Sequence, residues 1–200
     1  MIPVISKVEA IVGQPYVSTA KEDLLCYAYD ATNRHHLPDG VVFPGKTEEV
    51  SAIMQVVNEA GVYVVPRGAG TGMSGGALAV QGGLVMVMTR FNRILSVDTD
   101  NLVAEVEPGV ITAHFQEEVE RKGLFYPPDP ASAKYSTLGG NVAECAGGPR
   151  AVKYGVTRDY VLGLEVVLPS GEIITTGVRT AKGVVGYDPV SYTHLRAHET

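Results

Sequence analysis

Cysteine is scarce in this chain and its placement carries no pattern. Cys26 and Cys145 are the two in 200 residues, and their spacing suits neither a disulfide framework nor a metal site. Long apolar runs are missing: no stretch approaches the roughly eighteen residues that cross a bilayer. Residues 1–10 lack the basic stretch followed by an apolar one that marks a secretory signal, so a cytoplasmic setting is expected. Positive charge is in deficit, with 16 Lys and Arg against 22 Asp and Glu and a net charge of −6. No basic stripe is present, which excludes a nucleic-acid backbone as partner. Histidine is sparse as well. His35 and His36 are adjacent, so they point in different directions, and no nearby Cys, Asp or Glu completes a ligand spacing. No metal site is expected.

Glycine is abundant, at 23 residues, and is concentrated in two tracts. The first is Pro66-Arg67-Gly68-Ala69-Gly70-Thr71-Gly72-Met73-Ser74-Gly75-Gly76. Glycines at this density let backbone amides approach a ligand and form an anion cradle. The Gly-Lys-Ser/Thr ending of a nucleotide-triphosphate loop is absent. Gly70, Gly72 and Gly75 formally match a dinucleotide fingerprint, with Asp98 roughly twenty residues on, but that motif must open a helix. More glycines follow instead, then a new strand at 84–88. Two readings stay open at this point, a flexible surface loop and a loop lying along a diphosphate without a helix behind it.

Around this tract the chain alternates. A short helix is expected over 19–27, capped by Ser18 or Thr19, followed by loop over 30–40. A strand at 41–44 precedes a helix over 48–60 with Thr47 as its cap. Val50, Ile53, Met54 and Val57 recur at helical spacing in that helix, and Gly61 stops it. A strand at 62–65 then delivers the chain into the glycine tract, which makes a β-α-β unit. Runs at 94–98 and 102–107 flank a turn and predict an antiparallel hairpin. A second helix over 112–122 turns Phe115 and Val119 inward and carries a solvated charged face. Residues 162–168 and 172–176 form another hairpin around Pro169, Ser170 and Gly171.

The second tract, Ser136-Thr137-Leu138-Gly139-Gly140-Asn141-Val142-Ala143-Glu144-Cys145-Ala146-Gly147-Gly148-Pro149, lies some sixty residues after the first. Three prolines before it, in Tyr126-Pro127-Pro128-Asp129-Pro130-Ala131-Ser132, block regular structure. Neither tract can fill a core with its own side chains. A large flat ligand between them would do so.

Taken together, these blocks resemble the flavin-binding half of FAD-linked oxidoreductases of the vanillyl-alcohol oxidase and p-cresol methylhydroxylase superfamily. Within it, the likeness is to the glycolate oxidase D-subunit and D-lactate dehydrogenase type. It runs from about Pro38 to Asp188 and includes Tyr154-Gly155-Val156-Thr157 and Val161-Leu162-Gly163-Leu164-Glu165-Val166-Val167-Leu168-Pro169. The resemblance implies an α+β fold, a small parallel β-α-β lobe over 38–90 with a mixed or antiparallel lobe over 91–188, after an N-terminal helical or loop segment over 1–37. It implies that Pro66, Arg67, Gly68, Ala69, Gly70, Thr71, Gly72, Ser74, Gly75 and Gly76 wrap the FAD diphosphate. Asp129, Pro130, Ser132, Thr137, Gly139, Gly140, Asn141, Glu144, Cys145, Ala146 and Gly147 would line the ribityl chain and ring system. Gly155 and Val161 would lie against the cofactor's other side. Relatives often carry Asn where this chain has Cys145. The first tract holds no histidine, so non-covalent FAD is implied.

The reaction implied is hydride removal from the carbinol carbon of a small 2-hydroxyacid such as glycolate or D-lactate, with electrons passing to an iron–sulfur or other acceptor subunit. Such a partner could hold the chain peripherally at the inner membrane. No residue of 1–188 is assigned as the catalytic base. In relatives Gly186-Tyr187-Asp188 leads into a further FAD-contacting block and a substrate domain. Here residues 189–200 read as a non-native tail, so a truncated, inactive fragment is expected. The alternative is a nucleotide-binding or assembly subunit without chemistry of its own.

Overall fold

In the computed structural model residues 1–177 are described; the 186–188 block and the 189–200 tail lie outside them. The first lobe is built on a four-stranded sheet ordered β1-β2-β4-β3. Strands β2 (Gly40–Val42), β3 (Val64–Arg67) and β4 (Leu84–Val87) run parallel, and β1 (Val17–Ser18) pairs antiparallel with β2 at the edge. All four residues of β4 are buried, as a central parallel strand covered on both faces requires. The β-α-β unit is therefore split. Its two strands both pair with β4, which enters between them.

Helix α3 (Thr47–Glu59) connects β2 to β3 and buries Val50, Ile53 and Val57. The expected Thr47 cap does not form, because Lys46 is the N-cap and offers no side-chain bond. The Thr47 hydroxyl instead donates to Glu165 Oε1 at 2.7 Å. The early helix is α2 (Lys21–Cys26), and its N-cap is Ala20 rather than Ser18 or Thr19. Ser18 Oγ accepts from the Ala20 N–H at 3.2 Å and donates to Asp23 at 2.5 Å. Ahead of it lies a helix that the pattern reading left out, α1 (Ile2–Val12). Its Val4, Ile5, Val8 and Val12 join α3, Val42, Leu84 and Met86 in one core.

The second lobe begins with the hairpin of β5 (Ile94–Asp98) and β6 (Val103–Val106), bulged between Ile94 and Ser96. Helix α4 (Thr112–Arg121) packs on it through Phe115 and Val119, with Val110 and Leu138 completing the cluster. The charged face of α4 is wet and laced by Arg121 and Lys122 pairs to Glu117 and Glu118. Two short helices, α5 (Leu138–Ala143) and α6 (Ala151–Tyr154), for which no element was expected, lie in and after the second glycine tract. The last hairpin, β7 (Gly163–Val167) and β8 (Ile173–Gly177), returns to the first lobe. Ser51 Oγ of α3 donates to the Gly171 carbonyl at 2.5 Å. Gly171 turns at φ 86° with its Cα against Ser51 and Gln55, where a side chain would not fit. The result is the expected α+β arrangement. Among the described residues no helix is long and apolar enough to cross a membrane.

Candidate functional site

The first glycine tract leaves the carboxyl end of β3 and returns as β4, its parallel neighbour. Gly70 and Gly75 take φ of 70° and 84°, which only glycine adopts without strain. Among the described residues, no backbone N–H from 69 to 77 donates within the chain. These donors are free for a ligand. Arg67 does not reach out with them. Its side chain is 5% exposed, lies where a Gly70 Cβ would stand, and donates from Nη1 to the Ala77 carbonyl at 3.3 Å. Burial pulls its guanidinium below the ordinary value, opposed by the nearby Tyr29, Asp30 and Tyr27. The side chain of Arg67 thus props the loop, and only its backbone is in line with a ligand role. Pro66 lies within β3, opposite Met86, and has no N–H to give.

The second tract comes up against the first. Thr137 caps α5 by accepting from the Gly140 N–H at 3.3 Å, and the same Oγ1 fills the space beside Gly68 where a Cβ would go. Glu144, at the other end of α5, accepts from Ser74 Oγ at 2.5 Å. A Cβ on Gly76 would stand 2.7 Å from Glu144 Oε1, and one on Gly72 would be 3.9 Å from its carboxyl carbon. Four residues of the first tract and two of the second are therefore in direct apposition. Small residues are required there because two backbones and a carboxylate share the space.

Other residues read as cofactor-lining are turned to internal duties. Asn141 is 3% exposed, and its amide donates to Thr112 Oγ1 at 2.7 Å, so its side chain faces the core. Thr112 in turn donates to the Ser136 carbonyl at 2.9 Å. Gly139 hydrogen-bonds the Pro108 carbonyl at 2.7 Å and packs against that ring. Cys145 sits at φ 48° with a half-buried, free thiol. That left-handed backbone suits an Asn better than a Cys. The Ala146 carbonyl receives both the N–H and the hydroxyl of Thr157, at 2.9 and 2.7 Å. Gly147 packs on Ala151 and Val156.

Asp129 accepts from the Arg150 backbone N–H at 3.1 Å and forms an ion pair with its guanidinium at 3.3 Å, while Gly148 presses on the Asp129 carbonyl. The carbonyls of Pro130 and Ser132 accept the N–H groups of Ala133 and Tyr135. Gly155 turns at φ 84° beside Asp159, and the Val161 N–H bonds to Arg158. Among the described residues no hydrogen bond joins this group to residues 69–77. Thr112, bonded to Ser136 and Asn141, and Thr157, bonded to Ala146, brace the second tract, and nothing local in the sequence marks them. Burial pushes the Tyr126 phenol up to about 12, against a hydrogen bond to Thr157 that lowers it.

A dinucleotide fits this arrangement. The amides of 69–77 stay unengaged, and the glycines lie so close to Arg67, Thr137 and Glu144 that added side chains would clash with them. Sequence comparison agrees. The chain is 54% identical over 165 residues to the glycolate oxidase subunit GlcD of Bacillus subtilis, covering 82% of this chain and 35% of that protein. It is 46% identical to a D-lactate dehydrogenase of Anaerostipes hadrus, covering 75% of this chain and 31% of that one. It thus spans about a third of the length of these relatives. The crystal structure of p-cresol methylhydroxylase with substrate bound superposes with a TM-score of 0.77 at 24% identity, over 88% of this chain and 35% of that one. That likeness shows a shared fold. With both tracts inside the span 38–177 that matches the family described as FAD binding domain, this chain belongs to that family and its cofactor is FAD.

Proposed function

We propose that this chain is the FAD-binding part of an oxidoreductase acting on a small 2-hydroxyacid, of the glycolate or D-lactate class. The observation that carries the reading is the apposition of the two tracts, with free amides along 69–77 and Thr137 and Glu144 closing the other side. The relatives named for glycolate and D-lactate support the substrate class. When bound, FAD would accept the hydride at flavin N5 as the carbinol carbon is oxidised. The chain's share is to bind and orient. Amides of 69–72 take the diphosphate, since the Glu144 carboxylate occupies the 74–76 end and would repel an anion there. Gly139, Gly140, Cys145, Ala146 and Gly147 offer a small-residue floor for the ribityl and ring portion, with Asp129, Gly155 and Val161 beyond it.

Binding is non-covalent, because the first tract carries no histidine to form a flavin bond. The Bacillus subtilis relative is named as a subunit, and by that likeness an electron-accepting partner is proposed here too. None of the described residues is assigned as the base, so these 200 residues alone should not turn over glycolate or D-lactate. The test is an absorbance scan from about 350 to 500 nm of the folded chain after FAD addition and gel filtration. Retained flavin, released intact by denaturation, is the expected result. A folded chain that retains none would sink the reading and favour an assembly role without a flavin.

A further inference from the structure

The glycine loop is also held by a segment that lies before the matched family span. Residues 27–36 are closed on themselves by the Tyr29–His35 bridge and by the His36 N–H donating to the Ala28 carbonyl at 2.7 Å. From this segment the Ala31 N–H donates to the Gly72 carbonyl at 3.2 Å, gripping the middle of the loop. The Tyr27 ring faces Arg67, with the guanidinium carbon 5.7 Å from its centroid. Asp30 is 3% exposed. Its Oδ1 takes the Thr32 N–H and hydroxyl at 2.8 and 2.5 Å. Its Oδ2 is buried with no hydrogen-bond partner among the described residues.

A buried carboxylate with an open oxygen is unfavourable unless a cation answers it. Arg67, itself buried and faced by the Tyr27 ring of this same segment, is a cation whose charge Asp30 favours. Arg67 meets the loop at two places, beneath Gly70 and at the Ala77 carbonyl. Charge on Asp30 therefore bears on the path of the loop without touching any ligand. We propose that residues 27–36 are a strap that sets the shape of the diphosphate cradle, with Asp30 and Tyr27 as positioning residues acting through Arg67. This rests on the FAD reading above and adds to it a determinant from outside the family span.

The test is a cycle of Asp30→Asn, Arg67→Met and their double variant in the 200-residue chain, with Asp30→Glu as the conservative control. Flavin fluorescence gives the FAD Kd, and amide hydrogen exchange reports on residues 69–77 without ligand. Asp30→Asn should raise the Kd about tenfold and speed exchange at 69–77, while exchange in β4 stays unchanged. Asp30→Glu should recover most of the affinity. The double variant should bind no more weakly than Arg67→Met alone, because the two act through one interaction. If Asp30→Asn does not fold, Tyr27→Leu should show the same exchange pattern with a several-fold rise in Kd. Fold-changes that multiply in the double variant, or exchange at 69–77 that matches wild type, would overturn the strap. A wild-type chain that takes up no FAD, with exchange still faster in Asp30→Asn, would overturn the proposed function and leave the strap's hold on the loop in place.

Discussion

Ser74 and Glu144 are seventy positions apart in the chain and meet through a hydrogen bond of 2.5 Å. The bond joins the far end of the first glycine tract to the end of α5. It is solvent-exposed, so its net worth to folding is small, about 0.5–1.5 kcal/mol. Its effect on the cradle should be larger than on the fold. Ser74→Ala is expected to weaken FAD binding several-fold with little change in the unfolding midpoint. Equilibrium flavin titration beside urea unfolding checks both halves.

Gly68 and Thr137 make the second contact between the tracts, and there the constraint is steric. Gly68→Ala puts a methyl group onto Thr137 Oγ1 and should destabilise by about 1–3 kcal/mol, as overpacking does. Removing the obstructing hydroxyl in Gly68→Ala/Thr137→Ala should return part of that loss, less about 1 kcal/mol for the missing helix cap. Thermal unfolding of the two single variants and the double would show the effects to be non-additive. Strict additivity would mean that the clash is not between these two residues.

The chain Asn141 to Thr112 to Ser136 is buried throughout. Thr112→Val keeps the shape and removes the hydroxyl, leaving the Asn141 amide without its acceptor. Loss of about 1–3 kcal/mol is expected in urea unfolding. Double Thr112→Val/Asn141→Leu should be less damaging than the single variant, since no polar group is then left stranded.

Glu107 predicts how stability falls in acid. Burial pushes its carboxyl up, but the Arg93 hydrogen bonds at 2.6 to 3.0 Å outweigh that and hold it below the ordinary 4.5. A depressed folded value means that the ionised form is favoured on folding. Its stabilisation is complete above the unfolded value and is lost as pH falls through the folded one. Glu107→Gln should therefore be less stable than wild type at pH 6, with the gap shrinking below about pH 4. Chemical unfolding at stepped pH measures it; a gap independent of pH would contradict the assignment.

Much of the frame was legible because it is written in local periodicity. Val50, Ile53 and Val57 mark α3, Phe115 and Val119 mark α4, and turn residues mark both hairpins. Helix α1 escaped because Met1 supplies no capping side chain and the stripe of Val4, Ile5, Val8 and Val12 opens at the very start of the chain. Helix α5 escaped for a different reason. Gly139 and Gly140 each disfavour a helix by about 1 kcal/mol relative to Ala, and the contacts with Pro108 and Thr112 that override this are distant in sequence. The position of β4 between β2 and β3 has no local signal either. At the site, the tracts themselves could be read from composition. Which of their residues meet could not, and Asn141 shows why: a polar residue in a ligand-rich motif can be claimed by the core.

The route from β3 to β4 has one more consequence. Neighbouring parallel strands are ordinarily joined by a helix that lies over the sheet and shields it. Here the connection over residues 68–83 contains no helix, so this stretch of chain cannot supply its own lid. A bound dinucleotide would stand in for that missing layer, and its occupancy would become a term in the folding equilibrium. The melting temperature should then climb with the logarithm of flavin concentration well past stoichiometry, as though the cofactor were a late-arriving segment of the polypeptide.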